Sequence, residues 1–298
     1  MADPVTELIS GSMIDTWRRC VRLYNYQYDR QIAPRETDWP LALGRAGHGV
    51  LASYYSSLQL GADHGAARDE AVSMAGWRAE VLGHDPKALG HILPLIEWYW
   101  AEHAGDASVW EVLGVELQVR VPQAGWEYVA TVDLLVRDRR TGELIAVDHR
   151  FLVSFYTRAQ ARLDPQGARY VNALRATGHD LTRFTRNLIG TQPVAAAKRG
   201  QADRTKRIPL DFTARRLEIV QRETAGAAQQ ILAWRQIPVE LRPQLAGRTV
   251  IPGDRYPSCK TCPFAELCEA EAWGEDDRAA ELVATKFGPT DYSYAQEA

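Results

Sequence analysis

Four cysteines are the residues of this sequence whose type and spacing most clearly predict chemistry. Cys20 stands near the start, and the other three, Cys259, Cys262 and Cys268, lie close together near the end as C-x2-C-x5-C. Four thiolates suit zinc or an iron–sulfur cluster. Structural zinc usually takes its ligands as two close pairs, so the three-plus-one division, with Pro263 after the second close cysteine, favours a cubane cluster. The alternative is two disulfides or four unrelated buried thiols.

Two aspartates, Asp133 and Asp148, stand inside the apolar segments Tyr128–Arg137 and Leu144–Phe151, which are typical of strands. A carboxylate buried in such a strand costs free energy unless a partner compensates it. The sequence Thr141-Gly142 predicts a turn that brings the two carboxylates side by side. A divalent cation would relieve their repulsion, and hard oxygen ligands favour Mg2+ or Mn2+. The alternative is that each aspartate caps a strand end or pairs with an arginine.

The hydrophobic pattern predicts the elements that must position these residues. Helices come first, then three strands joined by short turns as an antiparallel meander, then further helices around one more strand. The predicted helices cover 13–28 (with Cys20 in mid-helix), 43–58, 63–81, 91–103, 159–176 and 212–236, and the predicted strands cover 109–121, 128–137, 144–151 and 181–195. Residues 198–207 are predicted to form a basic loop, and 238–257 a proline-rich stretch that leads to the last three cysteines.

Composition and charge indicate how the protein could bind nucleic acid and which class of cellular location to expect. The chain has 298 residues and a formal net charge of −3, so binding to nucleic acid must use a local basic face. The N-terminal residues lack the basic start and apolar run of a signal peptide. No stretch approaches the ~18 uncharged apolar residues that span a membrane. We therefore expect a cytoplasmic protein with no membrane segment, in which thiols stay reduced.

Taken in order, these motifs make the sequence resemble the PD-(D/E)XK nuclease superfamily. Within it, the chain resembles the RecB/AddB-like branch and the CRISPR-associated exonucleases that carry an iron–sulfur cluster, phage members included. The matching motifs are Gly44-x-x-Gly47-His48, Ala130-x-x-Asp133, Asp148-His149-Arg150, Gln166-x-x-x-Tyr170, and Cys20 with Cys259, Cys262 and Cys268. Two positions depart from the family pattern: Ala130 replaces a glycine, and Arg150 replaces the catalytic lysine.

The resemblance implies a fold and an activity. The fold would be α/β (α+β mixed), a restriction-endonuclease-like core with a central mixed sheet flanked by helices. We expect one domain over 1–298, composed of a helical N-terminal part (1–108), a nuclease core (109–195) and a C-terminal helix with the iron–sulfur segment (208–298). The activity would be that of a metal-dependent DNA exonuclease on single-stranded ends, acting in recombination, replication or repair with partner proteins of those pathways.

The resemblance also implies roles for individual residues. The ligands of Mg2+ or Mn2+ would be the side chains of His48, Asp133 and Asp148 and the backbone carbonyl of His149. The catalytic set would be Asp133, Asp148, Arg150, Gln166 and Tyr170. Residues Gln166 and Tyr170 are four apart and would share one helix face. The ligands of a [4Fe–4S] cluster would be Cys20, Cys259, Cys262 and Cys268. Glu116, between apolar strand residues, is a further candidate near the metal.

The replacement at Arg150 separates two interpretations of function. Arginine stays cationic and binds phosphate, but it cannot lose its proton near neutral pH. An electrostatic role therefore survives the replacement, whereas a general-base role does not. The first interpretation is an active exonuclease. The alternative is a catalytically weakened DNA-binding or adaptor protein that keeps the fold and the cluster, and a third is a zinc-stapled structural protein.

Basic and aromatic side chains supply candidate contacts to nucleic acid. Cations of the predicted loop would track a DNA backbone through phosphate contacts, and they are Lys198, Arg199, Arg204, Lys206 and Arg207. A solvated loop without a ligand is the alternative. Tyr24, Tyr26 and Tyr28 would stack on bases of single strands or pack around Cys20.

Overall fold

The structure is a computed structural model, and it describes residues 7–36, 38–81, 85–192, 204–247 and 257–289. The chain divides into two compact units, each built from segments far apart in sequence. Unit 1 comprises Met1–Thr37, Pro122–Val129 and Arg222–Ala298, and unit 2 comprises Asp38–Val121 and Ala130–Gln221. Among the described residues, no helix has the length and apolar character needed to cross a bilayer.

Unit 2 contains a mixed sheet flanked by helices, as the sequence predicted. Its strands are β3 (Trp110–Gln123), β4 (Trp126–Asp138), β5 (Leu144–Leu152), β6 (Arg183–Gly190) and β7 (Thr205–Asp211), and the ends of β3 and β4 beside their shared turn belong to unit 1. β3 pairs with β4, and the order continues through β5 and β6 to β7. β4 and β5 are antiparallel, β5 and β6 parallel, and β6 and β7 antiparallel. The predicted hairpin of β4 and β5 is confirmed.

Helices cover both faces of this sheet. They are α3 (Trp39–Gln59), α4 (His64–Val81), α5 (Pro86–Glu102), α6 (Asp106–Val109), α7 (Arg158–Leu163), α8 (Gln166–Ala176) and α9 (Ala214–Arg235), the last of which ends in unit 1. Apolar side chains of α3, α4 and α5 form one core with those of β4 and β5, including Leu51, Tyr55, Leu134 and Val147. α8 approaches β6 where Gly167 lies against Phe184. The predicted helix 43–58 and the predicted strands 128–137 and 144–151, which carry His48, Asp133 and Asp148, are therefore confirmed.

Unit 1 joins the start of the chain to its end. Its elements are β1 (Glu7–Ser10), α1 (Gly11–Arg19), α2 (Val21–Tyr24), a π-helical turn (Asn25–Asp29), β2 (Ile32–Pro34), α10 (Arg242–Leu245), α11 (Pro257–Lys260), α12 (Ala265–Trp273), α13 (Asp276–Lys286) and β8 (Phe287–Pro289). β1 pairs in parallel with the first residues of β4, and β2 pairs with β8 in antiparallel fashion. The Ser10 hydroxyl accepts the Met13 amide at 3.2 Å and so caps α1.

Three local predictions are wrong. The predicted helix 159–176 is two helices, α7 and α8, because Asp164 is extended, with φ −61° and ψ 122°, as expected for a residue that precedes a proline. The predicted helix 13–28 is interrupted, because α1 ends at Arg19 and Cys20 is extended, with φ −169° and ψ 120°. The break lets Cys20 pack on the same apolar core as Cys262 and Cys268, a tertiary requirement that a local pattern does not contain. The predicted basic loop 198–207 ends before residue 207, because β7 begins at Thr205 and pairs with β6.

Candidate metal centre and active site

Three side chains with metal-binding atoms converge in unit 2: His48, Glu116 and Asp133. One nitrogen or oxygen atom of each lies within 4.8 Å of the other two. The His48 Nδ1 atom is 3.6 Å from Asp133 Oδ2 and 3.9 Å from Glu116 Oε1. One imidazole and two carboxylates form a donor set rich in hard oxygen, which fits Mg2+ or Mn2+. The structure thus brings together two of the predicted ligands, His48 and Asp133, with Glu116, which the sequence indicated as a further candidate.

These three side chains come from three different elements. His48 is on α3, Glu116 on β3 and Asp133 on β4. Glu116 has a positive φ of 47°, a region that residues with a Cβ rarely enter because it is sterically crowded. Strained residues of this kind persist only where the surrounding structure holds them, and they are frequent at functional sites. The backbone of Glu116 therefore supports its place in the site.

The charges of this group alter one another's protonation. Burial lowers the pKa of His48, but the carboxylates of Asp133, Glu116 and Asp148 outweigh it and raise the pKa to about 9. Burial raises the pKa of Asp133 to about 7, where the nearby His48 opposes the shift and Asp148 adds to it. Without a cation, the imidazole therefore carries a proton at neutral pH and serves as the positive charge between the carboxylates.

Mn2+ binding should tighten as pH rises, because the cation must displace these protons. Between pH 7 and pH 9 one proton leaves His48, so the apparent affinity should increase about tenfold per pH unit. Below pH 7 the proton on Asp133 must leave as well, and the dependence should steepen. Isothermal titration calorimetry in two buffers with different ionisation enthalpies measures both the affinity and the protons released. An affinity that does not change between pH 7 and pH 9 would contradict the assignment of His48 as a ligand.

The residue after Asp148 supports the site from the protein interior. The His149 backbone amide donates to Asp133 Oδ2 at 2.7 Å, which ties β5 to the carboxylate on β4. Its ring stacks on Tyr55 of α3 and accepts from the Asn187 amide at 2.8 Å through Nδ1. Burial lowers the pKa of His149 to about 3, so the ring stays neutral. The predicted use of its backbone carbonyl as a metal ligand stays a prediction.

Asp148 and Arg150 belong to a second group of polar side chains, which reaches from β5 to α8. Asp148 Oδ2 accepts from Arg150 Nε at 2.8 Å and from Arg186 Nη1 at 2.7 Å. Gln166 accepts from both arginines through Oε1 and donates to the Tyr170 hydroxyl at 2.9 Å. The predicted catalytic residues of β5 and α8 therefore form one hydrogen-bonded network. We call these five residues, with Asp164, the arginine network.

The surroundings of Asp148 differ from those expected for a bare metal ligand. Burial raises its pKa, but the guanidinium groups of Arg150 and Arg186 outweigh this and lower the pKa below its ordinary value. Asp148 is thus an anion paired with arginine, which was the alternative left open by its sequence. It lies outside the compact group of His48, Glu116 and Asp133, and its role as a metal ligand stays a prediction.

Sequence reasoning missed two members of the arginine network, Arg186 and Asp164. Arg186 is fully buried on β6 and donates to Asp164 Oδ2 at 2.9 Å through Nη2. A signal was present, because Arg186 stands inside the apolar strand Phe184–Ile189 and a buried charge requires a partner. Asp133 and Asp148 are predicted as site residues for the same physical reason.

A glycine before the histidine lets α3 approach β5. A side chain at Gly47 would overlap the ring of Phe151, whereas a side chain at Gly44, one turn earlier, would meet open space. Gly47→Ala should therefore destabilise the protein by about 1–3 kcal/mol through overpacking and disturb His48, which contacts the same ring. Gly44→Ala is the matched control and should be neutral or stabilising by up to about 1 kcal/mol. Urea unfolding measures both, and equal effects would contradict the role of Gly47.

The predicted nucleic-acid contacts divide into three cases. Lys206 is exposed on β7, whereas Lys198 and Arg199 lie outside the described residues. Arg204 is only 7% exposed, with its guanidinium 4.6 Å from the centre of the Trp98 ring. Arg207 is paired with Asp106 at 2.5 Å. We therefore assign Arg204 and Arg207 to the packing of unit 2 and keep only the other three as candidate contacts.

The four cysteines meet in unit 1. All of them line one open cavity of about 400 Å³, together with Arg19, Arg22 and Tyr26 among others, and none forms a disulfide. The Arg22 Nη1 atom is 3.9 Å from Cys268 Sγ. Burial raises the pKa of Cys262, so a metal or a cation must stabilise its thiolate. The prediction that the first helices and the C-terminal segment share one thiol site agrees with this geometry.

Aromatic side chains pack beside the cysteines. Tyr26 is buried, stacks on Phe264 with ring centres 5.0 Å apart and donates to Glu271 at 2.7 Å. Tyr24 is also buried, against Trp17 and Tyr28. These two tyrosines are therefore core residues, which agrees with the packing alternative rather than with base stacking.

Comparison with known proteins identifies the family to which this chain is similar in sequence. The sequence model of the PD-(D/E)XK nuclease superfamily matches residues 8–269. Among solved structures, the chain is similar to one from Eubacterium rectale described as "Putative exonuclease", at 11% identity and a TM-score of 0.48, with 84% of this chain and 86% of that chain covered. It is also similar to SSO0001, at 14% identity and a TM-score of 0.39, with 89% and 86% covered. Both likenesses are remote. No curated protein matches the chain in sequence.

Proposed function

The chain belongs to the PD-(D/E)XK nuclease superfamily, and from that premise we propose that it is a divalent-metal-dependent DNA exonuclease acting on single-stranded ends. One observation carries the proposal: His48, Glu116 and Asp133 converge as a ligand group. Arg150 lies close enough to Asp133 for their charges to interact. An oxygen-rich cation site next to a guanidinium is suited to a phosphodiester, because both stabilise negative charge on phosphate.

Each residue of the site has a task in this proposal. His48, Glu116 and Asp133 hold Mg2+ or Mn2+, which when bound supplies an activated water and neutralises charge on the phosphate. Arg150 binds the phosphate through its planar pair of donors. Burial lowers the pKa of Arg150, but Asp148 outweighs it and raises the pKa above its ordinary value. Arg150 therefore acts as a fixed charge and never as a base, and Gln166 and Tyr170 orient it.

We propose that Cys20, Cys259, Cys262 and Cys268 hold a [4Fe–4S] cluster. The support is that all four line one cavity of about 400 Å³. A single zinc ion holds its sulfur ligands about 2.3 Å from one atom and needs little space between them. A cubane cluster needs a larger volume between its four cysteines. The Arg22 guanidinium near Cys268 fits a site of negative sulfurs, because hydrogen bonds to sulfur stabilise such clusters.

The exonuclease proposal is tested with two forms of one DNA strand. A linear single strand labelled at one end and a covalently closed circle of the same sequence are incubated with the full chain and Mn2+. The linear strand should be shortened from an end while the circle survives. Cleavage of both forms at the same rate would mean an endonuclease. A role in recombination, replication or repair, the partner proteins of those pathways, a RecB/AddB-like or phage affiliation and a cytoplasmic location stay predictions from the sequence.

A second candidate function is a DNA-binding or adaptor protein that cleaves weakly or not at all. It is favoured by Arg150, whose guanidinium donates to Asp148 and Gln166 where the family has a lysine. We expect the wild type to cleave and Arg150→Lys to be equal or slower, because a displacement of ~1 Å can cost about a hundredfold in rate. An inert wild type that gains activity in Arg150→Lys would indicate a decayed lysine site. Two inert proteins that still bind DNA would support the binding function.

A further inference from the structure

One member of the arginine network has no task in the chemistry proposed above. Arg186 is completely buried, with 0% of its side chain exposed, although removing a guanidinium from water is costly. It donates to Asp148 at 2.7 Å, to Gln166 at 2.9 Å and to Asp164 at 2.9 Å. Its Cζ atom lies 5.1 Å from the centre of the Phe184 ring. A side chain enclosed in this way cannot reach a substrate.

Arg150 donates to the same two acceptor atoms, but unlike Arg186 it is also in contact with solvent. Its side chain is 34% exposed, against 2% for Asp148, and it donates to Asp148 Oδ2 and Gln166 Oε1. Each acceptor is therefore bound twice, once by a partly exposed guanidinium and once by a buried one. A buried carboxylate that loses its only cation is strongly destabilised. With Arg186 in place, Arg150 can leave Asp148 without creating that state.

We propose that Arg186 is a positioning residue: it is the constant counter-ion of Asp148 and so frees Arg150 to turn to a phosphate of the substrate. This inference rests on the proposed function, because it requires a phosphodiester at the site. The strand register makes the pairing constant, since Asp148 on β5 lies opposite Arg186 on β6. Arg150 lies opposite Leu188, whose side chain offers no acceptor to retain it.

The test is a double-variant cycle that measures DNA binding and not cleavage. A fluorescein-labelled single-stranded oligonucleotide is titrated with the full chain, with Ca2+ as the only divalent cation, and its fluorescence anisotropy is recorded. Arg150→Gln should weaken binding about tenfold through the loss of charge-assisted hydrogen bonds to phosphate. Arg186→Gln should weaken binding by a similar factor, because Asp148 then retains Arg150. The variant with both changes should bind as Arg150→Gln does, because the two residues act through one contact.

The matched control is Arg183→Gln on the same strand. Arg183 pairs with Asp211 and Glu143 and not with Asp148, so binding should stay at the wild-type level. The inference is overturned when the losses from Arg150→Gln and Arg186→Gln multiply in the double variant, or when Arg186→Gln alone binds like the wild type. A purely structural role for Arg186 predicts the first of these results.

A conservative variant covers the case in which Arg186→Gln does not fold. Arg186→Lys keeps one charge beside Asp148, so its loss should be smaller than that of Arg150→Gln and should vanish when Arg150→Gln is also present. A loss that multiplies there overturns the inference. Failure of the proposed function looks different: the wild type does not bind the oligonucleotide, or Arg150→Gln binds as tightly as the wild type. Either result refutes the phosphate site and with it the role of Arg186.

Discussion

Asp133→Asn is expected to abolish DNA cleavage while the protein remains folded. The change removes one of the two carboxylates that face His48 and with it one of the two negative charges that hold the cation. Metal catalysis of phosphate chemistry supplies several kcal/mol, so the rate should fall by about 10³-fold or more. The asparagine oxygen can still accept the His149 backbone amide, which Asp133 accepts at 2.7 Å. The contact between β4 and β5 should therefore survive.

Thermal unfolding separates this loss from misfolding. The pKa of Asp133 is raised to about 7 in the folded protein, so its ionised form destabilises the fold at pH 8. The stability that protonated Asp133 contributes is present at low pH and is lost as pH rises through 7. Without metal, Asp133→Asn should melt at the wild-type temperature or higher. The control is Asp138→Asn on the same strand, where Asp138 accepts the amides of Arg140 and Thr141. It should melt slightly earlier and still cleave. Cleavage by Asp133→Asn at the wild-type rate would remove Asp133 from the site.

The second large effect is expected at the cysteines. Protein purified without oxygen should be brown and contain about four irons per chain. Cys20→Ser and Cys262→Ser should each lose the colour and destabilise unit 1, because binding of the cluster and folding are coupled. A loss of several kcal/mol corresponds to about 10 °C in melting temperature for a chain of this size. The two variants should lose similar amounts although their positions are far apart in sequence.

The matched control is Trp273→Ala, which changes an exposed side chain of the same cavity. It should keep the iron, the colour and the melting temperature. Metal analysis by mass spectrometry separates the alternatives. A colourless protein with one zinc per chain and no iron would exclude the cluster and leave the zinc-stapled site. Equal stability of Cys20→Ser and the wild type would exclude Cys20 from either kind of site.

The elements that carry the site could be predicted because their signals are local. The apolar periods of α3 and of the β4–β5 hairpin are visible in the sequence, and they place His48, Asp133 and Asp148. A local pattern cannot contain contacts between distant segments. The same periodicity predicts helix through Cys20, whereas the structure ends α1 before it and packs Cys20 with residues more than two hundred positions away.

The composition of the site was predicted only in part for a related reason. Glu116 has a positive φ at the site, and no hydrophobic period in the sequence predicts that backbone conformation for a glutamate. Arg186 lies opposite Asp148 through the parallel pairing of β5 with β6, and the sequence between those strands does not specify that register. The carboxylates themselves were predictable because a charge inside an apolar strand must find a partner. The identity of that partner depends on tertiary structure.

The proposed function requires that His48, Glu116 and Asp133 bind the cation on which cleavage depends. The most direct measurement follows cleavage of an end-labelled single strand by the wild type and by Glu116→Gln at increasing Mn2+ concentrations. We expect no cleavage in EDTA, cleavage that saturates with Mn2+ in the wild type, and saturation only at higher Mn2+ in Glu116→Gln. A wild type that binds the strand and leaves it intact at every Mn2+ and Mg2+ concentration would refute metal-dependent cleavage at this site, as would cleavage that persists in EDTA.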